Sequence, residues 1–166
     1  MLRRLLNLRQ SSTVLSSSFI AELELIVPIL FNSDYPQVLT NGDLSLTNIL
    51  VNEETFEITA IVDWSLANVL PFGIELGILR PTTGYMDLEG WHDYSCRNKL
   101  TEAFWTEFYA LSEAEADLRI RAELVAKLGA VLRYGFQRHA VVAPTEVVAE
   151  ETSSFLKGWA ADCAHT

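Results

Sequence analysis

The sequence predicts an α+β fold, mainly α, in which a small β element is backed by helices. Two observations carry that prediction. Apolar residues recur at three- and four-residue steps through residues 18–31, 100–111 and 118–132, and short β-branched runs lie near 38–40, 49–52 and 58–63. A chain of 166 residues with 49% hydrophobic content suits one domain with a core of its own.

Each element follows from local chemistry. Residues 1–18 carry Arg3, Arg4, Arg9 and five serines but no acidic residue. That composition predicts a poorly structured or truncated start, and it is also the composition of an organellar transit peptide. Phe19, Leu23, Ile26, Val27 and Leu30 then mark a helix from Ser18 to about Phe31, with Pro28 bending its last turn. Asn32-Ser33-Asp34-Tyr35-Pro36 is a turn cluster. Three strands are expected at 38–40, 49–52 and 58–63, the last two forming a hairpin across residues 53–57. From Leu70 onward the pattern reads as helical, with Leu100, Phe104, Phe108 and Leu111 on one stripe. Ser112 and Glu115 have capping-box spacing and should open a helix bearing Leu118, Ala122, Val125, Leu128 and Leu132. Pro144-Thr145 should start a last helix running to Trp159.

Charge and cysteine usage narrow the function classes. Twelve basic against 22 acidic residues give a net charge of −10, which argues against a nucleic-acid or anionic-membrane partner and favours a cationic ligand. Cys96 and Cys163 belong to no Cys-x-x-Cys pair, and His92, His139 and His165 have no metal-ligand spacing. The longest apolar stretches, 19–31 and 66–79, are interrupted by charge and proline and are too short to span a bilayer. A cytoplasmic location is the expectation.

The chemistry-bearing segment runs from Leu39 to Val51, followed by Ile61-Val62-Asp63-Trp64. It contains Asp43, Asn48 five residues on, and Asp63 after one more apolar strand. Phosphoryl transfer from a nucleotide needs such a set: one carboxylate accepts the proton of the attacking hydroxyl, while an amide and a second carboxylate hold Mg²⁺ on the phosphates. The protein-kinase catalytic loop has the same Asp-x-x-x-x-Asn spacing. A competing reading takes Asn41-Gly42 as a two-residue turn pairing 37–40 with 44–51, with Asp43 merely decorating it.

Thr40-Asn41-Gly42-Asp43 through Val51, Ile58 to Ala67, Leu70-Pro71-Phe72-Gly73, Gly84-Tyr85 and Gly90-Trp91-His92 together resemble the aminoglycoside phosphotransferase and choline-kinase-like family, in a fungal-type branch. The resemblance covers roughly residues 24–110. It implies a kinase-like C-terminal lobe over residues 19–166, ATP and Mg²⁺ as cofactors, and a small-molecule hydroxyl as substrate. By the same resemblance Asp43 is the catalytic base, Asn48 and Asp63 are the metal ligands, and Asn41 stands where the family has the loop-bracing His.

A glycine-rich loop and a strand lysine, which anchor the nucleotide in such enzymes, have no counterpart before Asp43. The first glycine is Gly42, and the lysines are Lys99, Lys127 and Lys157. The N-terminal nucleotide lobe is therefore expected to be absent and the chain impaired in catalysis. The alternative is a non-catalytic lobe that binds a partner, or a second copy, through the apolar face the nucleotide lobe would cover.

Overall fold

The computed structural model describes residues 1–136, Val14 excepted. The helix expected from Pro144, together with His139, Cys163 and His165, lies outside them. Within the described residues the protein is a mainly helical α+β structure, as the sequence predicts.

Helix α1 spans Leu2–Ser11, where the composition had pointed to a poorly structured start. The reason is the leucine spacing, which the serine and arginine content masks. Leu5 and Leu8 fall on one face and are fully buried against the next helix. Helix α2, Ser17–Leu30, begins where Ser16 accepts a hydrogen bond from the Phe19 amide at 3.2 Å. Its buried face is Phe19, Ile20, Leu23, Ile26, Val27 and Leu30, and Arg9 on α1 ties to Glu24 at 2.7 Å. Helix α3 covers Arg97–Ser112 and helix α4 covers Ala116–Tyr134. Val125, Leu128 and Val131 of α4 join the α1 and α2 side chains in one core cluster.

The capping box does not form. Ser112 is the last residue of α3, its hydroxyl is buried without a partner, and α4 starts after Glu115 with no side-chain cap. Glu113 in the left-handed region turns the chain instead. On α3 the buried stripe is also shifted from the expected one. Leu100 and Leu111 are exposed, while Phe104, Trp105, Phe108 and Tyr109 form a stacked aromatic cluster reaching Phe72.

Among the described residues, six strands make three two-stranded ribbons. Strand β1 (Gln37–Thr40) pairs antiparallel with β4 (Asn68–Pro71), with Thr40 opposite Asn68. Strand β2 (Ile49–Val51) pairs with β3 (Ile58–Ile61), with Ile49 opposite Ile61. Strand β5 (Gly84–Asp87) pairs with β6 (Gly90–Asp93). The β2–β3 hairpin is the expected one, slightly shorter. Strands β4, β5 and β6 occupy a stretch that reads as helical in sequence. The pairing of β1 with β4 rules out the simple Asn-Gly hairpin, because residues 37–40 do not pair with 44–51. Between β4 and β5 a 3-10 segment, Ile74–Thr83, packs along α4. A Cβ on Gly129 would lie 1.8 Å from the Ile74 carbonyl oxygen, so glycine sets how closely α4 approaches that segment.

Candidate active site

The loop between β1 and β2 is held from four sides. Gly42 sits at φ +84°, where a side chain is strained, and a Cβ there would lie 2.1 Å from the Leu66 carbonyl oxygen. From below, the Glu75 carboxylate accepts the Asn41 amide at 2.8 Å on one oxygen and the Gly42 amide on the other. Two adjacent backbone donors on one carboxylate fix the loop in a single orientation.

Asn41 is buried, 3% exposed. Its Nδ2 donates to the carbonyl oxygens of Val62 (3.2 Å) and Asp63 (3.1 Å), and its Oδ1 accepts from the Asp43 amide at 3.2 Å. One side chain thus links the Asp43 loop to the end of the β3 segment. Asn48 closes the same loop from its other end. Its Nδ2 donates to the Asp43 carbonyl at 2.9 Å, and its own carbonyl accepts the Val62 amide at 2.9 Å. Asn41, Asp43, Asn48 and Asp63 therefore converge, and the contacts that join them run through backbone carbonyls and amides.

Asp63 has a positive φ of 53°, an uncommon conformation for a non-glycine residue and one that recurs where a side chain must be aimed. It is exposed, and its Oδ1 accepts from the Ser65 hydroxyl at 2.7 Å and the Ser65 amide at 3.4 Å. The Ser65 hydroxyl, and secondarily its amide, hold the Asp63 carboxyl below its ordinary value of 3.8. Asn48 Oδ1 and the Asp63 carboxylate are hard oxygen donors of the kind Mg²⁺ takes. Among the described residues no group of three or more His, Cys, Asp or Glu side chains is arranged to hold a metal, so a site here would rely on the amide as well as the carboxylate.

Two residues at this site were not singled out from the sequence. Glu75 interrupts an apolar run, and a lone carboxylate in such a run is the signal that could have found it. Arg133, near the end of α4, reaches Asp43 Oδ1 with its Nη2 at 2.5 Å, 90 residues away in the chain. Nothing in local sequence marks that pair. Elsewhere, His92 lies on the β5–β6 ribbon, its ring stacked on Tyr85 and its Nε2 2.8 Å from Asp87.

Protein-family models, curated proteins and solved structures were compared with this chain. None matches it. Among the described residues, no helix is long and apolar enough to cross a membrane.

Proposed function

We propose that this chain is an aminoglycoside-phosphotransferase-like catalytic lobe, built for ATP-dependent phosphoryl transfer to a small-molecule hydroxyl and impaired when it acts alone. The observation that carries the reading is the bonding of the β1–β2 loop. Asn48 closes on the Asp43 carbonyl, and Asn41 binds the carbonyl of Asp63. A turn with a decorative Asp has no reason to bind the strand end that bears a second Asp.

In this reading Asp43 accepts the proton of the acceptor hydroxyl, and it must part from Arg133 to do so. Asn48 Oδ1 and Asp63 would hold Mg²⁺, which neutralises charge on the phosphates when bound. Asn41 is a positioning residue, because its donors are spent on backbone carbonyls and it is buried away from any reactant. The net charge of −10 favours a cationic acceptor.

A second reading has its own support. The hairpin and the turn after it expose Leu50, Phe56, Ile58, Trp64 and Leu66, with Phe56 81% exposed. Such a face suits a nucleotide-binding lobe supplied from elsewhere, a second copy of the chain, or a partner bound without catalysis.

Phosphotransfer by three proteins tests the first reading: the chain itself, its Asn41→His variant, and the chain fused to an N-terminal lobe from a phosphotransferase of this kind. Only the fusion should turn over, and Asp43→Ala should abolish it. Missing charge-stabilising groups are worth about 10³ or more in rate, so Asn41→His alone should change little. A folded fusion that is inactive with a broad hydroxyl-substrate panel would overturn the catalytic reading and leave the partner-binding one.

A further inference from the structure

Beside the Asp43 loop lies a half-open cavity of about 280 Å³. Its apolar wall is Leu70, Ile74, Ile78 and Leu132, and two guanidinium groups line it, Arg4 from α1 and Arg133 from α4. Its carboxylate, Glu75, already binds the amides of Asn41 and Gly42 with both oxygens. The cavity thus brings two guanidinium groups and one carboxylate together, in a protein that is strongly acidic overall.

Arg4 is the unusual member. Its Nη2 donates to the Leu132 carbonyl at 2.5 Å and its guanidinium lies over the Phe136 ring at 4.3 Å, but no carboxylate pairs with it among the described residues. Its Nε is buried with no acceptor, and so is the Nε of Arg133. Burial also pulls the Arg4 guanidinium below its ordinary value. A partly buried cation without a counter-ion is costly, and a buried donor without an acceptor adds to the cost. One oxyanion between the two guanidinium groups would supply the missing counter-charge, since a carboxylate accepts in the plane of a guanidinium fork.

We propose that this cavity binds a small carboxylic acid with an apolar body, its carboxylate received by Arg4 and Arg133 and its hydrocarbon laid against Leu70, Ile74, Ile78 and Leu132. At ~30 Å³ per water-sized group, the volume admits about nine such groups, which sets the ligand at the size of a branched six-carbon acid. Arg133 is then shared between the ligand and Asp43. The inference does not depend on phosphoryl transfer, since it concerns the guanidinium groups and the apolar wall alone.

Calorimetric titration of the unaltered protein with 4-methylpentanoate, the isosteric 4-methylpentanamide and inorganic phosphate tests it. The carboxylate should bind at least about tenfold tighter than the amide, a difference of ~1.4 kcal/mol. It should also bind tighter than phosphate, which has no apolar body. In a nitrogen–proton spectrum the Arg4 and Arg133 Nε–H signals should move with the carboxylate and stay with the amide. Arg4→Gln and Arg133→Gln should each weaken carboxylate binding at least tenfold, while Arg97→Gln on α3 leaves it unchanged. Equal binding of acid and amide, no binding of the acid, or Nε–H signals that ignore it would overturn the proposal. So would phosphate binding as tightly as the acid. If a variant fails to fold, the acid–amide pair and the Nε–H signals decide on the unaltered chain.

Discussion

At the scale of single residues, the loop rests on side chains whose hydrogen-bonding sense matters more than their size. Asn41 must donate, because it faces two carbonyl oxygens. Asn41→Ala should lower stability by about 1–3 kcal/mol, the cost of leaving buried acceptors unpaired. Asn41→Asp keeps the shape but turns an acceptor toward those carbonyls, so it should be the worse of the two. Urea unfolding of both variants checks the order, and an Asp variant as stable as the parent would refute the bracing role. Asp63 offers a pH test. Its folded value lies below 3.8, so whatever its bonds to Ser65 contribute is present above 3.8 and lost as pH falls through the lower, folded value. Carbon-detected titration of the Asp63 carboxyl should find a midpoint under 3.8, and Ser65→Ala should raise it toward 3.8. A midpoint that does not move in the variant would mean that Ser65 is not the cause.

At the scale of elements, the contact between α4 and the 74–83 segment supports the site, because Ile74 touches Gly129 while its neighbour Glu75 holds the loop amides. Gly129→Ala should push α4 away at a cost of about 1–3 kcal/mol. It should also shift the amide resonances of Asn41 and Gly42, which lie on the far side of Glu75. Unchanged loop resonances in a destabilised variant would mean that helix packing and loop geometry are independent. The elements differ in how readily they could be read. Helices α2 and α4 were legible because their apolar residues repeat with helical period, and β2–β3 because two β-branched runs flank a polar turn. Strand β4 was not, since Asn-Val-Leu-Pro is too short for a pattern and its partner lies 28 residues upstream at Thr40. Strands β5 and β6 carry Gly84, Asp87, Gly90 and Asp93, residues that on propensity argue against strands. Of the residues in the candidate site, Asp43, Asn48 and Asp63 stand out in the sequence because they fall within one short segment. The Arg133 contact was not, because only the packing of α4 brings it there.

At the scale of the whole molecule, the core is made by α1, α2 and α4, while the hairpin that follows Asn48 carries exposed apolar side chains. That asymmetry predicts self-association. Sedimentation should find a species heavier than the monomer at high concentration, and Phe56→Ser with Ile58→Ser should shift it toward monomer without changing the unfolding midpoint. A parent protein that stays monomeric would remove the second-copy occupant of that face. The ribbons carry one more consequence. Each is two strands wide, so every strand in the described residues is an edge strand, and a two-stranded ribbon is marginal without support. Amide exchange should therefore be graded: slow at Leu23, Val125 and Leu128, fast at Leu50 and Ala60, with Asn41 and Gly42 between them because Glu75 pins their amides. The protein would then be able to unmake the hairpin that follows Asn48, and make it again, many times within the life of one folded core.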